Sequence, residues 1–138
     1  MSRLEQQLAA GQFVVTAEIA PPKGIDTAQA LEKARLMANL SAVNVTDNQG
    51  ANMRMSPLAM AALLVRQGIE PILQLTCRDR NRMALQSDLL GAAALGLENL
   101  LLLSGDHARF GDHPKARSVF DLDSIQLMQT VRGLTEGT

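Results

Sequence analysis

Residues 71–77, Pro71-Ile72-Leu73-Gln74-Leu75-Thr76-Cys77, form a short apolar run with one glutamine inside it and a polar end. Twenty-eight residues before Gln74 stands Thr46, which closes the run Ala42-Val43-Asn44-Val45. Glu18 lies 28 residues earlier still and closes Phe13-Val14-Val15-Thr16-Ala17. In the other direction, 28 residues after Thr76, Ser104 opens Ser104-Gly105-Asp106 behind Leu100-Leu101-Leu102-Leu103. A buried strand, a returning helix and two short loops need about this length. A regular βα unit with polar groups at the carboxyl ends of its strands is the plan of a TIM-type (β/α)8 barrel, whose active site lies at that face. Near-continuous apolar strands are expected of parallel strands covered on both faces. Open doubly wound sheets share this local pattern, but neither GxGxxG nor GxxxxGK[ST] occurs, which weakens the usual nucleotide-binding alternatives.

The intervening segments read as helices. Ser2-Arg3-Leu4-Glu5 is a capping-box pattern and predicts a short helix over 3–10, stopped at Gly11, ahead of a first strand at 13–19. Pro21-Pro22-Lys23-Gly24 ends that strand, and Asp26 caps a helix to about Asn39. After the strand at 42–46 and the polar loop 47–52, Ser56-Pro57 starts a helix to Gln67. A third strand at 69–76 is followed by a helix to about Leu95, and a fourth strand at 98–103 by the long loop 104–120. Asp121 or Asp123 caps a last helix, stopped by Gly133.

A complete (β/α)8 barrel takes about 250 residues, and this chain has 138. The expected fold is α/β: a short amino-terminal helix and the first four βα units of the barrel, as one partial domain over residues 1–138. Either a half barrel pairs with another chain, or the sequence is the amino-terminal part of a longer protein. The second is preferred, with residues 134–138 leading towards a fifth strand. Thirteen basic and fourteen acidic residues give a net charge of −1, and there are only three Phe as aromatics. Nucleic-acid binding therefore has little support. No apolar stretch is long enough to span a membrane, and the first residues lack the apolar core of a signal peptide, so the cytoplasm is the expected location. One Cys allows neither an internal disulfide nor a CxxC metal site.

Several polar residues fall where a barrel does its chemistry. Glu18 stands just before two stiffening prolines, and partial desolvation there would favour its protonated form and suit it to proton donation. A solvated strand-end carboxylate is the alternative. Asp106 follows a glycine that permits close backbone approach, and its carboxylate suits an NH-rich heterocycle or an ordinary turn. Thr46, Asn48, Gln49 and Gln74 can each bind a ligand or satisfy nearby backbone. Asp106-His107 and Asp112-His113 resemble metal ligands but match no strong zinc spacing, and no metal is expected. Arg78, Arg80 and Arg82 fit either phosphates or salt bridges. Cys77 has no clear base partner, and the seven Met read as core filler or loop residues.

Four segments are more specific together than singly. They are Thr16-Ala17-Glu18-Ile19-Ala20-Pro21-Pro22-Lys23-Gly24, Val43-Asn44-Val45-Thr46-Asp47-Asn48, Leu75-Thr76-Cys77-Arg78-Asp79-Arg80-Asn81 and Leu103-Ser104-Gly105-Asp106. In this order and at these strand ends the chain resembles methylenetetrahydrofolate reductase over residues 12–133, about the first half of that family's barrel. Residues 85–91 and Gly111-Asp112-His113-Pro114 look most like its divergent bacterial branches, including acetogen forms and forms fused to a homocysteine methyltransferase.

The resemblance implies noncovalent FAD and hydride transfer to 5,10-methylenetetrahydrofolate, giving 5-methyltetrahydrofolate in one-carbon and methionine metabolism. It assigns Glu18 the proton donation that opens the folate's imidazolidine ring. It places Gly105-Asp106 near the flavin and the pterin, and Thr46 beside the flavin and nicotinamide region. Gln74 stands where many members have a flavin-contacting histidine, Ser104 where many have Arg, and Asp47 where an aromatic is common. Phe120 aligns with a flavin-proximal aromatic. The expected set is thus Glu18 and Asp106 for catalysis, with Thr46, Asp47, Gln49, Gln74, Ser104, Gly105, Asp106 and Phe120 at the cofactor. Electrons would come from NADH, NADPH, reduced ferredoxin or a partner subunit, in a homo-oligomer or hetero-complex. A non-catalytic scaffold barrel and a pterin- or corrinoid-linked methyltransferase remain alternatives.

Overall fold

A computed structural model describes residues 1–137. Helix α1 (Arg3–Ala9) starts at Ser2, whose Oγ accepts from the Glu5 amide at 3.0 Å. The strands are β1 (Thr16–Ile19), β2 (Ala42–Val45), β3 (Pro71–Thr76) and β4 (Asn99–Leu103). Between and after them run α2 (Ala28–Leu36), α3 (Pro57–Arg66), α4 (Arg82–Ala94) and α5 (Ser124–Glu136), with 3₁₀ turns at Gln49–Ala51 and Ala108–Phe110. Among the described residues this is one parallel four-stranded sheet with five α-helices. Strand order is β1-β2-β3-β4. Consecutive order without a reversal is compatible with part of a (β/α)8 barrel and lacks the switch point of a doubly wound sheet.

Alternation along the strands separates two faces. Ile19, Val43, Val45, Leu73 and Leu75 are buried in one cluster with Ala34, Met60, Leu64, Leu85 and Leu127 from the helices. On the other face, Glu18 is exposed, Asn44 and Ile72 are half-buried and Leu101 is 41 % exposed. The expectation of helix cover on both faces is therefore met on one only: α2 to α5 pack on the first face, while on the other Leu4 and Glu5 of α1 line a depression with Thr16, Asn44, Ile72 and Leu101.

Several boundaries differ from the sequence reading, each for a local reason. Strand β1 begins at Thr16, not Phe13, because its ladder with β2 begins at Thr16 opposite Ala42, and Phe13 is 94 % exposed. Helix α2 ends at Leu36, short of Asn39, because the amides of Met37, Ala38 and Leu40 each bond three residues back and tighten the chain into turns. Ile69 is not in β3, since its amide returns to the Leu64 carbonyl at the end of α3. Asp123 rather than Asp121 caps α5, in a reciprocal box with Gln126. Asp121 instead accepts from the Arg82 amide at 2.9 Å. Helix α5 continues past Gly133 to Glu136, helped by an Arg132–Glu136 pair at 2.7 Å. Residues 134–136 are thus helical rather than a lead-in to a strand, and Thr138 lies outside the described residues.

Helix α1 is fastened at the amino-terminal end of the sheet by Glu70. Its carboxylate accepts from the amides of Arg3 (2.8 Å) and Leu4 (2.9 Å) and from Asn99 Nδ2 (3.0 Å). Burial pushes its pKa up, but the Leu4, Arg3 and Asn99 donors outweigh burial and leave it below the ordinary carboxylate value. A depressed pKa contributes stability that is present above the unfolded value and is lost as pH falls through the folded one. Glu70→Gln should therefore cost about 1–2 kcal/mol at neutral pH. That difference should shrink as acid protonates the wild-type carboxylate. Denaturant midpoints of both proteins across the acid range check this.

Candidate active site

The carboxyl ends of the four strands open on one concavity of about 130 Å³. Glu18, Thr46, Asp47, Gln49, Gln74, Gly105 and Asp106 all line it. Ser104 and Phe120 do not. Ser104 Oγ faces the start of α5 and accepts from the Ser124 amide at 3.3 Å. Phe120 lies with its ring centroid 6.3 Å from that of His107. The concavity is smaller than the roughly 300–1,000 Å³ of a typical ligand pocket.

Glu18 is exposed, on the sheet face opposite α2 to α5. Each of its oxygens meets one side-chain amide: Gln49 Nε2 to Oε1 at 3.2 Å and Gln74 Nε2 to Oε2 at 3.4 Å. Gln74 Nε2 also reaches Asn44 Oδ1 at 3.4 Å, and Asn44 Nδ2 donates to the Ala17 carbonyl at 3.3 Å. A polar chain thus runs along the inner face from the 49–51 turn into β2. Sequence reasoning passed over Asn44, although an asparagine inside Ala42-Val43-Asn44-Val45 was the available signal.

Thr46 is 1 % exposed, and its Oγ1 has no hydrogen-bond partner among the described residues. A buried hydroxyl without a partner is costly and calls for an explanation. Asp106 is exposed, and its carboxylate accepts no hydrogen bond within the described chain. Its backbone carbonyl accepts from Arg78 Nη1 at 3.2 Å.

The Asp47 carboxylate is bonded within the protein. Its side chain is fully buried, accepting from the Thr76 amide (2.8 Å) and Thr76 Oγ1 (3.1 Å) and from both terminal nitrogens of Arg80 (2.7 and 3.2 Å). Both oxygens are spent inside the protein. Burial works against the Arg80 charge, but Asp47, with Asp88 and Asp79, raises its pKa above the ordinary value. Arg78 is 2 % exposed and joins three loops: it grips Asp79 through two 2.8 Å bonds and donates to the carbonyls of Asn48 and Asp106, both at 3.2 Å. Hydrogen bonding to Asp79 is the main reason its pKa is raised. Of the two readings of this basic segment, the salt-bridged one describes Arg78, Arg80 and Arg82.

The loop after β4 is strapped to the loop after β2. A Cβ on Gly111 would stand 1.7 Å from the Ala51 carbonyl oxygen, so only glycine fits. Asp112 accepts from Lys23 Nζ and from the Met53 amide, both at 2.9 Å, and with His113 these donors hold its carboxyl well below the usual range. Gly105 has φ +88°, and a Cβ there would meet Thr76 Cβ at 3.0 Å. Among the described residues the non-glycine positions with positive φ are Asn48, Ala51 and Phe120, all in these loops; such strain costs about 1–3 kcal/mol each. Gly111→Ala should push the two loops apart. Faster limited proteolysis within 104–120, with helical circular dichroism retained, is the expected result.

Cys77 is buried, and burial followed by the nearby Asp123 charge pushes its thiol up, so it is not primed as a nucleophile. Among the described residues no group of three or more His, Cys, Asp or Glu could hold a metal ion, and no helix is long and apolar enough to cross a membrane.

Residues 3–135 match the family model described as Methylenetetrahydrofolate reductase. The chain belongs to the methylenetetrahydrofolate reductase family. Membership in it implies methylenetetrahydrofolate reduction in general, an oxidoreductase activity, and methylenetetrahydrofolate as substrate. The methylenetetrahydrofolate reductase match spans every strand that reaches the mouth and the whole strapped loop 104–120. No curated protein matches the chain.

Proposed function

We propose that these residues are the first four βα units of a (β/α)8 barrel that binds FAD and reduces 5,10-methylenetetrahydrofolate to 5-methyltetrahydrofolate. The observation that carries the reading is the convergence of Glu18, Asp106 and the unpartnered Thr46 hydroxyl on one mouth, in a chain of this family. The remaining strands of the barrel would cover the inner face that carries Glu18, Gln74 and Leu101. That cover would complete the pocket around Glu18.

The fit of a flavin rests on Thr46, whose buried hydroxyl keeps its hydrogen-bonding capacity for a bound group. Gly105 and Asp106 would complete this side of the cofactor site. Bound and reduced, the flavin supplies a hydride. Before that transfer, Glu18 would deliver a proton to the folate nitrogen that leaves when the imidazolidine ring opens. That nitrogen keeps the electron pair of its broken C–N bond, and the other becomes part of an iminium whose carbon takes the hydride. Asp106 holds the NH-rich pterin. The electron donor is NAD(P)H, reduced ferredoxin or a partner subunit. The full-length protein should purify with FAD that denaturation releases, at close to one per site. Flavin-free, fully folded protein that takes up no added FAD would refute the reading.

A further inference from the structure

The two amides on Glu18 come from different elements. Gln49 lies on the turn after β2, between Asn48 (φ 46°) and Gly50 (φ 62°), two residues before the Ala51 that Gly111 packs against. Gln74 lies within β3, is 6 % exposed, and its position is fixed by the ladder to β4. A carboxylate on a three-bond side chain has free rotamers, and productive proton transfer needs one of them. Each donor takes a separate oxygen, so together they fix the plane of the carboxylate and not just its distance. Gln74 can do this because its amide carries two N–H donors: one is directed at Glu18 and the other at Asn44. As a neutral residue it performs the task at any pH.

We propose that Gln49 and Gln74 are positioning residues that clamp the Glu18 carboxyl group for proton delivery: in its protonated form each oxygen keeps a lone pair for one amide, and the O–H is left for the folate nitrogen. This deepens the proposed folate reduction and rests on it. It also moves Gln74 from the cofactor to the acid. Gln74→Leu should then slow folate-dependent reoxidation of the reduced flavin by about 10- to 100-fold. The KM for the folate, the bound flavin and its absorption spectrum should stay as in the wild type. In a Glu18→Gln background the same substitution should cost no more than about twofold, because the two residues act as one unit. A flavin contact would instead give loss of flavin or a shifted spectrum and additive losses in the double variant, and either result overturns the clamp.

A second measurement is independent of turnover. In the full-length ¹⁵N-labelled protein, Glu18→Ala should shift the side-chain amide signals of both Gln49 and Gln74; unchanged signals would overturn the clamp even in an inactive protein. A wild-type protein that never reoxidises flavin with the folate would refute the functional reading instead, and the amide signals would still decide the clamp.

Discussion

Glu18→Gln should lower folate-dependent reoxidation of the reduced flavin by at least about 100-fold, the lower end of what a positioned general acid contributes. Flavin reduction by the electron donor should persist. The asymmetry follows from the chemistry: only the folate half-reaction needs a proton on a departing nitrogen. Glutamine keeps the shape but has no transferable proton, and only one of its two head-group atoms can accept. It therefore keeps at most one of the two amide contacts that Gln49 and Gln74 now make, at 3.2 and 3.4 Å. Glu18→Asp retains an acid but draws it back from both amides, and should fall between wild type and Glu18→Gln. Rapid mixing of each half-reaction separately checks the set. Equal loss of both half-reactions would count against proton donation and for a broken cofactor site.

Arg80→Leu should destabilise the protein by about 3–5 kcal/mol, the cost of leaving a buried charge without its partner. The Asp47 side chain is fully buried, and Arg80 gives it two bonds, at 2.7 and 3.2 Å. Without Arg80, Asp47 keeps only Thr76. Replacing both residues, as Asp47→Leu with Arg80→Leu, should recover only the part of the loss due to the unpaired charge, because the buried Thr76 amide and hydroxyl then lose their acceptor. Denaturant unfolding of the single and double variants measures this. A single variant within about 0.5 kcal/mol of wild type, the range of ordinary surface changes, would show that the pair does not anchor the loops.

What the sequence made legible was the spacing. Polar residues 28 apart at the ends of apolar runs placed Glu18, Thr46, Gln74 and the Gly105-Asp106 pair at one edge of one sheet, because parallel strands joined by similar crossovers bring equivalent positions together. Direction was not legible where the chain leaves the strands. Asp47 and Ser104 each adjoin a mouth residue in sequence, yet Asp47 turns inward to Arg80, 33 positions away, and Ser104 turns to the first turn of α5. A loop side chain has no periodicity to reveal which way it points. The edge of β1 failed for a related reason. Phe13, Val14 and Val15 have the composition of a strand, but the ladder to β2 starts at Thr16, with one further bond from the Ser41 amide to the Val15 carbonyl at 2.9 Å, and apolar composition cannot extend it. The pairing of Gln49 and Gln74 on separate oxygens of Glu18 joins three strand ends and was beyond any linear reading.

In the proposed reaction a carboxylate at the end of β1 and a flavin act together on a folate at this mouth. The direct measurement is anaerobic mixing of the photoreduced, FAD-loaded full-length protein with 5,10-methylenetetrahydrofolate, followed by flavin absorbance and product analysis. The account predicts reoxidation of the flavin with one 5-methyltetrahydrofolate formed per flavin, lost in Glu18→Gln. Reduced flavin that persists in the presence of the folate, in a protein that holds FAD stoichiometrically, would contradict it.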